Sequence, residues 1–459
     1  LFRSHVEWEP VERDLMTQQV SLMLASGDWA DAFNCVDVVY PSGMSALLDD
    51  EIAIDLTDMV PTYAPDYYRC LQENPTFYKD ATLDDGTILC IFSKNAPSYM
   101  AGLQIRADLL EKLDLDVPTN YDEATEVLRA MKAETGGTTP YMPSSLYMCD
   151  EFNSVASGFG VNWARTSPQL CLQVEDGQVV ISATTDGMKD YLQYLNGWDS
   201  EGLMSDEFLT ITNERFMNDY IYRQDCVMFA QNPNNSMSES YVLLCDDPNT
   251  RFTAVGDLHK AGEDNYINNY AKIAGSISDG GAWCITTACE YPEAMLSWLN
   301  YGFTEDGMKL FALGVEGELW EYNDQGDPEY TDLYYNPPDG MPPFMVGFVY
   351  KPVGTYEAIT SYSNVGSNEN QIAAREVWTA CRDASGPNLY HGALTVDEAA
   401  SINALEADLI TLIDEETPKF VVGQRSFDEW DAFVDQVNSM GVEDILSVYQ
   451  VAYERYMSK

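Results

Sequence analysis

The chain has 459 residues, 45% of them hydrophobic and 12% aromatic, a composition that excludes a mainly disordered protein and a length that calls for two or three units rather than one core. Lysine and arginine number 24 against 75 aspartates and glutamates, a formal net charge of -51. Such a surface is foremost a solvated one; it repels nucleic acid and anionic lipid and disfavours polyanionic ligands such as uronic-acid polymers.

Taken in chain order, Phe2 to Trp8 reads as a strand already inside a domain, and Leu1 is not a start methionine, so a leader and some mature sequence are expected ahead of it. No run approaches the roughly 18 apolar residues that span a bilayer. Glu12 to Ser26 puts Met16, Val20, Met23 and Leu24 on one helical face, with Gly27 to end it. Ala32 to Tyr40 reads as a buried strand running into a loop, and Thr87 to Phe92 as another strand after the Asp84-Asp85-Gly86 turn. A second strand and helix follow at Met100–Arg106 and Ala107–Leu113. Asn120 and Glu123 have capping-box spacing for a helix whose face is Ala124, Val127, Leu128 and Met131, stopped by Gly136-Gly137.

The centre, about 140 to 280, is rich in Asn, Ser, Gly and aromatics, with helices expected around Met188–Asn196 and Glu214–Tyr222. Trp283–Thr287 reads as a strand. Pro292 stands where a first-turn proline belongs, before a helix with Met295, Trp298 and Leu299 on one face. Thr395 and Glu398 cap a helix carrying Ile402, Leu405, Leu409, Leu412 and Ile413. The chain closes with two amphipathic helices. Ser426 and Glu429 have capping-box spacing ahead of Trp430, Phe433, Val434 and Val437, Gly441 suits a helix stop, and Ile445, Val448, Tyr449, Ala452 and Tyr453 carry the second stripe. Alternating strands and helices predict an α/β protein with mainly parallel sheets, and the irregular centre predicts a cleft between units. The ten cysteines show no Cys-x-x-Cys spacing, which argues against zinc and thioredoxin-type chemistry; disulfides and buried free thiols both remain open.

Five stretches, in order, resemble extracellular solute-binding protein family 1, the lipid-anchored receptors of sugar-importing ABC transporters in Gram-positive bacteria. They are Ser26–Phe33 (with Ala30 in place of the family's proline), Gln104–Glu123, Trp283–Glu293, Asn300–Gly307 with Gly314–Gly317 and Tyr330–Asp332, and the C-terminal helix pair. The resemblance covers about a third of the residues but spans nearly the whole chain; each motif alone is weak, and the ordered set is specific. It implies a two-lobed, type II periplasmic-binding-protein-like α/β fold with ligand held between lobes. Lobe one would be 1–95 plus 284–335 and lobe two 102–280 plus 340–459, with hinges near 93–101, 278–284 and 336–340. The family's opening strand and helix are missing ahead of Val6. The resemblance also implies no cofactor, a monomer, a membrane permease as partner, and a cell-surface, lipid-anchored location.

A sugar site needs flat aromatic faces for a pyranose and planar amides or carboxylates for hydroxyls. On loops that the family turns toward its cleft, the candidates are Asp37, Tyr40, Asn95, Tyr99, Tyr147, Trp163, Asn232 and Trp283, with Asn34, Phe152, Tyr350 and the rest of Gln231–Asn235 beside them. Trp298, Trp378 and Trp430 sit on helical stripes and read as core. Trp163 and Trp283 read equally well as packing residues, and Asp37 and the Asn232 run as turn chemistry. Catalytic motifs (Gly-x-Ser-x-Gly, Walker, Gly-x-Gly-x-x-Gly, His-Glu-x-x-His) are missing. Asn323–Glu329 offers oxygen ligands for calcium without EF-hand spacing and reads as an acidic turn. The expected function is capture of a neutral oligosaccharide by lobe closure and its delivery to an importer. A peptide or polar-metabolite receptor of the same fold, and a secreted acidic glycoside hydrolase, remain the alternatives.

Overall fold

The structure is a computed structural model that describes residues 6–12, 15–34, 46–96, 101–143, 153–163, 169–212, 215–262, 277–338, 341, 343–381, 392 and 394–459. Local chemistry sets the elements. Gly27 ends the helix Met16–Ser26 at φ 68°, its N–H bonded to Met23 O. The Asn120 side chain accepts from Glu123 N–H to start the helix Tyr121–Thr135. Thr395 and Glu398 form a reciprocal capping box on the helix Val396–Val421. The strands, in chain order, are β1 (Ala32–Asn34), β2 (Cys90–Lys94), β3 (Gly102–Arg106), β4 (Thr139–Tyr141), β5 (Leu172–Glu175), β6 (Gln178–Ile181), β7 (Cys226–Gln231), β8 (Phe252–Ala254), β9 (Ile277–Ile285), β10 (Trp320–Tyr322) and β11 (Pro328–Tyr330).

The chain divides into two compact units. The first comprises residues 1–95, 275–312 and 352–358 and holds a sheet of order β1-β9-β2. Both ladders are antiparallel, so β1 and β2 point the same way and β9 runs against them. The short 352–358 segment is tied to the end of β2. Lys94 N–H donates to Tyr356 O at 3.0 Å and Ala358 N–H to Lys94 O at 2.8 Å. Lys94 is buried, and its ammonium lies 3.5 Å from Glu357, which also takes Arg69 at 3.4 Å. The Cys70 thiol beside them is pushed up to about 12, by burial first and by the Glu357 charge second.

The second unit comprises 96–274, 313–351 and 359–459, with a sheet of order β4-β7-β3-β8. Here β4 and β7 are parallel, and β3 is antiparallel to both β7 and β8. The first sheet is therefore antiparallel and the second mixed, where sequence patterning predicts mainly parallel ones. The reason is the same in both. β3 and β9 are the first strands after the chain passes from one unit to the other at 95/96 and 274/275, and each enters its sheet between strands that run the opposite way. The strands either side of the incoming one share a direction, as a parallel sheet would have them. The division also differs from the expected lobes. Residues 313–351 fall in the second unit, where the Tyr330 ring lies against Gly366, and 352–358 falls in the first, bonded to Lys94.

The C-terminal helices Trp430–Asn438 and Val442–Ser458 share one core with Val396–Val421, the helix Asp186–Ser200 and the sheet of the second unit. Trp430, Phe433 and Val437 are buried, as the stripe predicts. Two caps differ from expectation. Ser426 accepts from Asp428 N–H and opens a single 3₁₀ turn, Phe427–Glu429. Gly441, at φ 80°, is the N-cap of the last helix rather than a stop. Among the described residues Cys70, Cys226, Cys245, Cys284 and Cys289 are free thiols; Cys35 and Cys149 lie outside the described residues.

Candidate functional site

In open α/β sheets ligands bind beyond the carboxyl ends of the parallel strands. In the first unit those ends lead to Asp37 and Tyr40, after β1, and to Asn95, after β2; in the second they lead to Tyr147, after β4, and to Asn232, after β7. Gly102, at the start of the reversed β3, pairs with Gln231, at the end of β7; Tyr99 comes shortly before Gly102 in sequence. Asp37, Tyr40, Tyr99 and Tyr147 lie outside the described residues, as does Phe152. Asn95 is half-buried, and its Nδ2 donates to Ile277 O at 3.0 Å, which leaves its Oδ1 as the group on offer.

The two tryptophans are placed differently. Trp163 is 1% exposed in the core of the second unit. Its N–H donates to Asn153 Oδ1 at 2.9 Å while Asn153 Nδ2 donates to Val161 O at 2.8 Å, a loop fixed from inside. Trp283 stands well inside β9, opposite Asn34 and Ile91, and is 6% exposed. Its ring meets Trp8 at 5.9 Å and Trp298 at 5.9 Å, both edge to face. Both positions carry packing, and neither presents a ring face to solvent.

Around Asn232 the second unit builds a polar array. Asn232 Oδ1 accepts from Asn234 N–H at 2.9 Å. Asn234 Oδ1 accepts from Gln371 Nε2 at 2.7 Å and from the Arg375 guanidinium at 3.2 Å. Arg375 also donates to Asn364 Oδ1 at 2.7 Å and to Ser367 Oγ at 2.8 Å. Gln371 and Arg375 lie one turn apart on the helix Glu369–Ala380, capped by Asn368. Gln371 is 2% and Arg375 4% exposed, whereas Asn234 is exposed and Asn232, Asn364 and Ser367 are half-buried. Burial draws the guanidinium below its ordinary value, and its Nε is buried without a hydrogen-bond partner. Nearby, Tyr330 and Tyr334 stack at 4.0 Å, the Tyr330 ring lies against Gly366, and burial pulls the Lys351 ammonium down to about 8. Asn364, Ser367 and Arg375 are not singled out by sequence patterning. The one signal is that Gln371 and Arg375 fall on the buried stripe with Ala374 and Trp378, where apolar residues belong.

Two other features are self-contained. A recess of about 450 Å³ lies at the amino ends of β4 and β7, between Thr138, Arg215 and Asp225. Its charges are spent on each other, with Arg215 2.8 Å from Glu207 and 3.4 Å from Asp219. The acidic Asn323–Glu329 segment includes the turn between β10 and β11, where Asn323 Oδ1 accepts from the N–H groups of Gln325 and Asp327. Among the described residues no group of three or more His, Cys, Asp or Glu is placed to hold a metal ion, and no helix is long and apolar enough to cross a membrane.

No family model matches the chain. It is 20% identical, over 483 aligned residues covering 99% of this chain and 85% of the relative, to the fructooligosaccharide ABC transporter substrate-binding protein FusA of Streptococcus pneumoniae serotype 4. An extracellular solute-binding protein from Bifidobacterium longum subsp. infantis superposes with a TM-score of 0.74 at 20% identity, covering 98% of this chain and 92% of that one. FusA from S. pneumoniae in complex with kestose does so at 0.71 and 19% identity, covering 99% and 93%. The chain has the fold of the extracellular solute-binding proteins.

Proposed function

We propose that this chain is the substrate-binding component of an ABC importer and captures a carbohydrate outside the cell for delivery to membrane permease subunits. The observation that carries the reading is the match along nearly the whole chain, in sequence and in fold, to a fructooligosaccharide-binding protein of an ABC transporter. The polar array of Asn232, Asn234, Asn364 and Ser367 at the carboxyl end of β7 supports it, because amides and hydroxyls are the groups that read sugar hydroxyls and ring oxygens. Asn95 supplies the corresponding group in the first unit, and the segments carrying Asp37, Tyr40, Tyr99 and Tyr147 supply the remainder. The two units close over the ligand, which biases closure only through contacts made in the closed form. The protein acts as a monomeric binding protein and not as an enzyme, held at the cell surface by a lipid anchor.

The test is a panel of oligosaccharides, including kestose, read by melting temperature and by solution scattering. A bound sugar at about 100 times its Kd adds roughly 2.7 kcal/mol of stability, so the expected result is a rise in Tm of several degrees with a smaller radius of gyration. If no sugar in a broad panel moves either quantity, while a peptide mixture does, the carbohydrate reading fails.

A further inference from the structure

The array around Asn232 has a fixed polarity. Arginine carries donors only, so the amides of Asn234 and Asn364 must turn Oδ1 toward Arg375. Gln371 adds an independent constraint at Asn234. Its Oε1 accepts from Asn368 N–H at 2.9 Å, which leaves Nε2 as the group that donates to Asn234 Oδ1. Asn232 is turned the same way by a backbone donor, the N–H of Asn234. Ser367 Oγ accepts from Arg375, so its hydroxyl proton points elsewhere. In each case the inward-facing atom is the acceptor, and the group left over is a donor: Nδ2 of Asn232, Asn234 and Asn364, and the Ser367 hydroxyl.

Resting on the carbohydrate reading above, we propose that Arg375 makes this face of the second unit a donor-rich surface that selects sugars bearing carbonyl or carboxylate oxygens. A plain hydroxyl can accept from these donors, but its own proton finds fewer acceptors on such a face. An acetamido carbonyl or a carboxylate takes two donors at once. A site built to pair one kind of group discriminates strongly against an analogue lacking it, because its own polar atoms are otherwise left unpaired. The net charge of -51 opposes approach of an anion, and the neutral acetamido sugar is therefore the preferred ligand, with the carboxylate as the second source of the same chemistry.

The experiment is calorimetry with matched oligosaccharides on the full chain. Chitotriose is compared with cellotriose, which shares the β-1,4-glucose backbone but carries hydroxyls in place of acetamido groups, and with a triuronate. Chitotriose is expected to bind at least tenfold more tightly than cellotriose, with the triuronate between them. Asn234→Asp keeps an oxygen for Arg375 and Gln371 to bond and replaces the outward donor by an acceptor, so the fold is retained and the preference for chitotriose should fall at least tenfold. Asn364→Asp is the second variant. If cellotriose or kestose binds the wild type as tightly as the acetylated and acidic sugars, or if both variants leave the ratio unchanged, the proposal is overturned while the carbohydrate reading stands. If no sugar binds at all, both fall.

Discussion

At the scale of single residues, one glycine shows how the second unit couples its sheet to its covering helix. Trp378 is fully buried, and its indole N–H donates to both Leu103 O at 3.2 Å and Val255 O at 3.0 Å. The ring reaches the sheet because Gly102 has no side chain: a Cβ there would lie 2.6 Å from Trp378 Nε1 and 2.7 Å from Cδ1. Neither atom can retreat without breaking the paired bonds to β3 and to Val255. Gly102→Ala should therefore destabilise the protein by about 1–3 kcal/mol through overpacking, read as a lower urea midpoint with an unchanged slope. Gly137→Ala, with open space around its Cβ, should leave the midpoint close to that of the wild type. Trp378 itself is legible in sequence as core from its helical stripe. Trp163 and Trp283 read in sequence equally well as packing or as ligand contacts, because loop and strand-start positions do not reveal which rings are enclosed. That depends on contacts remote in sequence, such as Asn153 for Trp163 and Trp298 for Trp283.

At the scale of elements, most starts and stops were written locally and survive in the structure, since a cap satisfies backbone groups within three or four residues of itself. Asn120, Thr395 and Gly27 are examples. What sequence periodicity misses is direction. Nothing local in Gly102–Arg106 or Ile277–Ile285 says that the strand will enter its sheet against the rest. Nor does the Glu214–Tyr222 pattern announce that Phe216–Tyr222 winds as a π-helix. The long helix Val396–Val421 carries a cap with a second role. Glu398 accepts from Thr395 N–H and also takes Arg455, from the last helix, at 2.7 and 2.8 Å. The Arg455 bond, chiefly, lowers its carboxyl from 4.5 to about 2. A carboxylate whose folded value lies below its unfolded one contributes stability above the unfolded value and loses it as pH falls. The window here runs from about pH 4.5 down to about pH 2. Glu398→Gln keeps the capping bond and removes the charge. At pH 6 it should cost about 1–2 kcal/mol after screening by solvent, and the gap from wild type should close toward pH 2–3 in urea titrations. A gap that is the same at pH 6 and pH 3 would show that the ion pair contributes nothing.

At the scale of the whole molecule, the charge balance sets how stability responds to its medium. The 75 carboxylates exceed the 24 basic side chains by 51, so most acidic groups have no cation to pair with. The ion pairs that do form on the surface, such as Arg129 with Glu201 at 2.6 Å and Arg251 with Glu111 at 2.6 Å, contribute little and weaken as salt is added. Repulsion among the excess carboxylates is longer in range and opposes the compact state. The Debye length falls from about 30 Å at 0.01 M to about 8 Å at 0.15 M, which removes the long-range repulsion while leaving contacts at hydrogen-bond distance partly intact. Screening should therefore stabilise the fold on balance. Melting temperature measured at neutral pH should rise by several degrees as sodium chloride goes from about 10 to about 200 mM, and most of the rise should come in the lower half of that range, where the screening length changes fastest. A constant or falling Tm over the same range would mean that the few ion pairs outweigh the repulsion. The same dependence bears on ligand capture. At low salt the surrounding field repels an acidic sugar more strongly than a neutral one, so the affinity of the triuronate should gain more from added salt than that of chitotriose.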